Sequence, residues 1–103
     1  GYAAPELLEG QPLTASAGVY GVACVRYELA GGKHPFRRLP STEARDGHLE
    51  RELHAPRNLP KHCWPALRTA LAFNAADRTI TAAQLRDAMG VTSTWLQRLR
   101  LRA

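Results

Sequence analysis

The densest run of apolar positions lies between residues 19 and 30. Val19-Tyr20-Gly21-Val22-Ala23-Cys24-Val25-Arg26-Tyr27-Glu28-Leu29-Ala30 carries only two charges, Arg26 and Glu28. A segment apolar nearly all round is expected to be buried on most sides. Val19, Val22, Val25 and Leu29 suit one face of a helix, while the valines and tyrosines also suit a strand. The length of the run and its stop at Gly31-Gly32 favour helix, and Pro35 prevents its resumption. The rest of the chain then wraps around an element placed close to its own start. That is the arrangement expected of a piece of a larger domain, and the first residue is Gly1 rather than Met.

The flanking patterns are shorter. Ala4 precedes a proline and is pushed toward extended geometry. Pro5 suits the first turn of a short helix, Glu6 lies where negative charge favours a helix N-terminus, and Gly10 ends the turn. Residues 11–18 read as a loop. Residues 37–59 are polar and broken by Pro40, Gly47 and Pro56. They hold a short helix over Ser41–Asp46, capped at Ser41, and a turn around Leu49–Leu53. Cys63, Trp64, Leu67, Ala70 and Leu71 recur at three and four, which predicts a second helix over Lys61–Phe73. Pro65 restricts its start to near His62. Asn74–Arg78 is a turn. Thr81 with Gln84 forms a capping-box pattern, Ile80 with Leu85 fits a hydrophobic staple, and Gly90 sits at C′, so a helix is expected over Thr81–Met89. Val91-Thr92-Ser93 restarts a helix through Arg102, with Trp95, Leu96 and Leu99 on one side. The fold class is mainly α, built around a central buried helix.

Composition narrows the chemistry. The 103 residues make one domain or a part of one, and a 45% apolar share is enough for a core. The net charge of +5 comes mostly from arginine, and it suits nucleic acid or acidic lipid as well as a solvated surface. No apolar run reaches the roughly 18–20 residues needed to span a bilayer. The two cysteines, Cys24 and Cys63, form no CxxC motif and read as free buried thiols of a reducing compartment. His34, His48, His54 and His62 match no zinc spacing. His62 and Cys63 are adjacent on a helix and point apart, which argues against a nucleophile pair. Asp46, Glu50 and Glu52 read as solvated charges.

Three blocks carry a family resemblance. Tyr2-Ala3-Ala4-Pro5-Glu6 is similar to the end of the activation segment of eukaryotic-like serine/threonine protein kinases, particularly bacterial ones, with Ala4-Pro5-Glu6 matching the Ala-Pro-Glu motif. The stretch LLEGQPLTASAGVYGVACVRYELAGGKHPF resembles the long central helix of the kinase C-terminal lobe and the Pro-Phe after it. HCWPALRTALAFNAADRTITAAQLRDAM resembles the last two helices, with Arg78 where the family places an arginine before the final helix. The resemblance covers about residues 1–89 and implies a partial C-lobe, followed over 90–103 by a basic helical tail or the start of a juxtamembrane or linker segment.

The resemblance implies roles for particular residues. Gly1, Tyr2 and Ala3 would face the protein substrate, and Ala4, Pro5 and Glu6 would be a structural motif. Glu6 and Arg78 would form a largely buried ion pair. Gly18 departs from the pattern, since the family has an aspartate there that anchors the catalytic loop. The parent is therefore expected to be a weakened kinase or a non-catalytic kinase-like scaffold. The chain has no Gly-rich loop, strand lysine, His-Arg-Asp or Asp-Phe-Gly, the motifs that hold ATP and magnesium. No catalytic, cofactor or metal residue is assigned, ATP and magnesium are expected only for an intact parent, and the chain alone should not transfer phosphate. The expected partners are a protein substrate, the remainder of the kinase domain and, through exposed apolar surface, a further copy of the chain. The expected location is the cytoplasm, or the cytoplasmic face of a membrane reached through a C-terminal extension.

A rival reading takes TAAQLRDAMGVTSTWLQRLRLR as a helix-turn-helix, with Arg98, Arg100 and Arg102 meeting DNA phosphates or bases. Arg86 stands where that motif usually has a small residue at the helix crossing. Nucleic acid is accordingly not the expected partner.

Overall fold

Residues 1–90 are described by the computed structural model. They form five α-helices joined by short turns and 3₁₀ segments, with no β-strand among the described residues. The helices are α1 (Pro5–Leu8), α2 (Ala15–Gly31), α3 (Ser41–Asp46), α4 (Trp64–Ala70) and α5 (Ala82–Ala88). The predicted helix over 91–102, with Trp95, Leu96 and Leu99, lies outside the described residues.

The long apolar run is helix, not strand, and α2 starts four residues earlier than Val19. Thr14 is its cap, with extended φ −119° and ψ 165°, and its hydroxyl accepts the Ala17 N–H at 3.1 Å. The small residues after Thr14 read as loop by composition. Ala15, Ser16 and Ala17 nonetheless extend a capped helix readily, because alanine loses no side-chain freedom there. At the other end Gly32 adopts φ 76° and gives its N–H to the Glu28 carbonyl at 2.7 Å. This left-handed position is one that glycine takes without a Cβ penalty.

The buried face of α2 also differs from the expected one. Ala17, Tyr20 and Cys24, spaced at three and four, turn inward with Val19 and Ala23 beside them. Of the predicted face only Val19 is buried. Val22, Val25 and Leu29 are 50%, 43% and 78% exposed, and Gly18 lies on the same open stripe. A helix apolar on both sides gives no sequence signal for which side packs. Here α4 and α5 cover one side, and the other has no covering helix among the described residues.

The remaining elements build the core around that face. Phe36, the residue after Pro35, is 1% exposed and packs its ring 4.7 Å from that of Phe73. Tyr27 meets Trp64 at 6.2 Å and ties its hydroxyl to the His54 carbonyl at 2.7 Å. From α4 and α5 come Leu67, Ala70, Leu71, Leu85 and Met89. Burying one such large side chain contributes about 1.5–3 kcal/mol.

Three boundaries move for identifiable reasons. Ser41 is the first residue of α3 rather than its cap, and its hydroxyl is turned to the Ala3 carbonyl instead. The second predicted helix opens as a 3₁₀ turn over Lys61–Cys63 and becomes α-helical only at Trp64, with Pro65 at its start. It ends at Ala70, before Phe73. The capping box at Thr81 is present in both halves, Gln84 N–H to Thr81 Oγ1 at 3.1 Å and Thr81 N–H to Gln84 Oε1 at 2.9 Å.

Two outcomes follow from α2. Gly18 is exposed inside the helix, and a Cβ there would meet nothing within 4 Å. Gly18→Ala should therefore raise stability by about 0.5–1 kcal/mol, read from urea denaturation. Cys24 and Cys63 are free and at most 1% exposed, and burial pushes the Cys24 thiol up to about 12. Both should resist alkylation in the native chain and react once it is unfolded in denaturant, as mass spectrometry would record.

Candidate functional site

The first six residues form a strap laid across the start of α2 and the 34–41 loop, and each is held by a different device. The Gly1 carbonyl accepts a hydrogen bond from His34 Nε2 at 2.7 Å. Gly1 itself lies so close to the turn below that a Cβ would come 2.9 Å from the Leu39 carbonyl oxygen. Tyr2 donates its hydroxyl to Glu28 Oε1 at 3.0 Å, and its carbonyl sits over Gly21, where a Cβ would come within 3.1 Å. The Ala3 carbonyl accepts from the buried Ser41 hydroxyl at 2.6 Å. Ala4 is fully buried, and Pro5 opens α1. The Tyr2 side chain remains 42% exposed, so the strap presents an open edge.

Glu6 closes the strap onto the base of the fold. Its carboxylate takes two bonds from Arg78, Nη1 to Oε2 at 2.7 Å and Nη2 to Oε1 at 3.1 Å, although the two residues are 72 positions apart. The Arg78 side chain has no solvent exposure and that of Glu6 only 18%. Arg78 also donates from Nε and Nη2 to the Ala72 carbonyl at 3.1 and 3.0 Å, and from Nη1 to the Ser16 carbonyl at 3.0 Å. These are the carbonyls at the end of α4 and in the first turn of α2. The guanidinium lies 5.3 Å from the centroid of the Tyr20 ring, within cation–π range. The hydrogen bonds from Arg78 hold the Glu6 carboxyl below the usual carboxylate range, against an opposing effect of burial.

The turn beneath the strap is strained. Arg37 and Arg38 have φ 55° and 61°, and the Leu39 N–H bonds the Phe36 carbonyl at 3.0 Å across them. Two positive φ values at the central positions are the signature of a type I′ turn, which favours Asn-Gly rather than Arg-Arg. Arg37 pairs with Glu52, both largely in solvent, and the exposed Arg38 pairs with the partly buried Glu28; such surface pairs contribute little.

Gly1, Tyr2, Ala3, Ala4, Pro5, Glu6 and Arg78 form one connected unit. Gly18 lies apart, on the open stripe of α2. Arg98, Arg100 and Arg102 lie outside the described residues. Sequence reasoning missed His34, Ser41 and Gly21, which hold the strap, and Ser16, which binds Arg78; these contacts join distant positions for which no local pattern exists, as with Ser41 to Ala3 at 38 positions. The Thr14 cap did have a local signal, a threonine immediately ahead of the small residues Ala15-Ser16-Ala17.

Comparison with known proteins agrees on one relationship. No protein-family profile matches the chain. It is 29% identical over 97 residues to the probable serine/threonine-protein kinase PknB of Corynebacterium glutamicum, which covers 86% of this chain and 15% of that protein. A probable serine/threonine-protein kinase of Corynebacterium efficiens is 32% identical over 92 residues, 82% of this chain and 14% of the relative. One from Dictyostelium discoideum is 48% identical over 42 residues, 41% of this chain and 3% of the relative. The chain is therefore distantly related to serine/threonine protein kinases over most of its length, and it spans about a seventh of the two bacterial relatives.

The Arg78 network yields a graded expectation. Arg78→Met and Glu6→Gln should each cost about 3–5 kcal/mol, because each leaves the partner charge or its acceptors stranded. Arg78→Lys should recover only part, since an ammonium has three donors and no fork. Urea midpoints for the three variants check the order. Because the folded-state pKa of Glu6 is lowered, its contribution is fully present above the unfolded value of 4.5 and is lost as pH falls through the lower folded value. A pH series of melts should show an acid-side loss of stability that is smaller in Glu6→Gln. Arg38→Gly, which relieves a left-handed non-glycine residue, should stabilise by about 1 kcal/mol in the same assay.

Proposed function

We propose that the chain is the substrate-side helical part of a serine/threonine protein kinase C-terminal lobe. In this reading Gly1, Tyr2 and Ala3 end the activation segment, Ala4-Pro5-Glu6 anchors it, and α2 is the hub helix. The observation that carries it is the buried Glu6–Arg78 pair, which ties the strap to the base of the fold and so keeps its exposed edge rigid. Relatedness to kinases over most of the chain supports the same reading.

The reaction of the assembled parent is transfer of a phosphoryl group from ATP to a protein serine or threonine. Positioning and charge stabilisation dominate such a reaction. The residues of this chain would supply positioning of the protein substrate, while ATP and magnesium would be held elsewhere in the parent. The open stripe of Gly18, Val22, Val25 and Leu29 is the surface by which α2 would meet the rest of the domain. Without that cover, Val22, Val25 and Leu29 promote self-association. Gly18 offers no side-chain acceptor where the family has an aspartate, so the parent would hold its catalytic loop weakly.

A chimera tests the reading. Residues 1–90 replace the matching segment of the Corynebacterium glutamicum kinase, and phosphorylation of a generic basic protein is measured. A folded chimera with low activity, raised about ten- to a hundredfold by Gly18→Asp, is the expected result, since a hydrogen bond to a charged group contributes about 1.5–3 kcal/mol. An unfolded chimera, or one inactive with and without the aspartate, would overturn it. Binding of a hydrophobic dye by the isolated chain, reduced in Val25→Lys and Leu29→Lys, checks the open stripe separately.

A further inference from the structure

The histidine that holds the strap is placed to do more than hold it. His34 is buried, 7% exposed, and both of its ring nitrogens are engaged. Nδ1 accepts the Phe36 backbone N–H at 3.0 Å, and Nε2 lies 2.7 Å from the Gly1 carbonyl oxygen. An amide N–H can only donate and a carbonyl can only accept, so the two partners select one form of the ring, neutral with the proton on Nε2. Protonation adds a hydrogen to Nδ1 and points it at the Phe36 N–H, donor against donor. Phe36 is buried in the core against Phe73, so the clash is relieved by the ring leaving its seat rather than by the amide, and the Gly1 carbonyl then loses its partner although that bond by itself favours the charged ring.

We infer that His34 is a pH-sensitive latch: its neutral ring fastens the Gly1–Ala3 strap, and its protonated ring releases it. The inference rests on the proposed function only for what the release does, which is to loosen the substrate-facing edge.

The surroundings favour the neutral state. Burial lowers the His34 pKa most, and the positive charge of Arg38 in the turn acts the same way. The Gly1 carbonyl bond and the Glu28 carboxylate from α2 oppose them. The rings that face it, Tyr2 at 5.4 Å and Phe36 at 6.5 Å, are uncharged at neutral pH. With its folded pKa below the unfolded value of 6.5, the neutral latch stabilises fully above that value and loses its contribution as pH falls below it. His34 is thus a positioning residue whose state is set by protons.

Nuclear magnetic resonance of the 103-residue chain tests the latch directly. Ring nitrogen shifts of His34 report its tautomer, and backbone amide shifts report Phe36, Tyr2 and Ala3, across about pH 7.5 to 5. The expected result is an Nε2–H tautomer at the upper end, then one step in which the His34 ring, the Phe36 amide and the strap amides move with a common midpoint. Exchange of the Phe36 amide should rise at least about tenfold beyond the intrinsic pH effect. In His34→Gln, whose side chain donates to Gly1 but does not titrate, the strap amides should show no step. His34→Asn, which keeps an acceptor for the Phe36 N–H, serves if the glutamine variant is unfolded.

A ring that protonates with the strap unmoved, or the same step in the non-titrating variant, would overturn the latch. The functional reading fails separately, through a chimera that is inactive at every pH. A chimera that is active with a pH profile unchanged by His34→Gln would leave that reading intact and remove the latch.

Discussion

A guanidinium with no solvent exposure sits at the junction of α1, α2 and the end of α4, and its hydrogen bonds set the positions of all three. Arg78 has five N–H groups in a fixed plane, and the carboxylate of Glu6, Ser16 and the Ala72 and Phe73 carbonyls supply their acceptors. Taking a cation out of water costs several kcal/mol, so the arrangement stands only if each acceptor stays in place. Displacing α1 would strand the charge, and displacing α2 or α4 would strand donors and carbonyls together. A single side chain thereby converts three separate packing contacts into one geometric condition.

That condition reaches the open edge of the molecule through the strap. Between Glu6 and Gly1 the backbone is pinned by Ser41, by the close seat over Gly21 and by His34, and below it the strained Arg37-Arg38 turn brings the Leu39 carbonyl against Gly1. Non-glycine residues held at positive φ persist only where their surroundings over-determine them. In the proposed reading, a peptide edge held this firmly, with Tyr2 half in solvent, would meet an extended substrate without first having to be ordered. The distant relation to serine/threonine protein kinases extends over most of the chain that carries this edge.

What was legible in the sequence was what is local. The capping box at Thr81, the glycine stop at Gly32 and the proline at the start of α4 each act within one turn of helix, and each is where the pattern placed it. The inward face of α2 was not legible, because apolar residues occupy both sides and only the position of α4 and α5 selects one. Ser41 shows the same limit from another direction. Its hydroxyl has the right chemistry for a cap, but the Ala3 carbonyl, 38 positions away, is the acceptor it serves. The Glu6–Arg78 pairing was legible only through resemblance, since nothing in the intervening 72 positions encodes it locally.

The length of that loop has a temporal side. A ribosome makes Glu6 seventy-two residues before Arg78, so in that interval the Arg78 guanidinium is not there to meet it and the strap lacks its base. The helices with local caps can form as they emerge, whereas closing a loop of this size carries an entropic cost that only contacts made at its end repay. The order of assembly is therefore fixed by where one arginine lies in the chain: helices early, strap last. An edge pinned in the native state is thus one the nascent chain keeps loose until Arg78 has emerged.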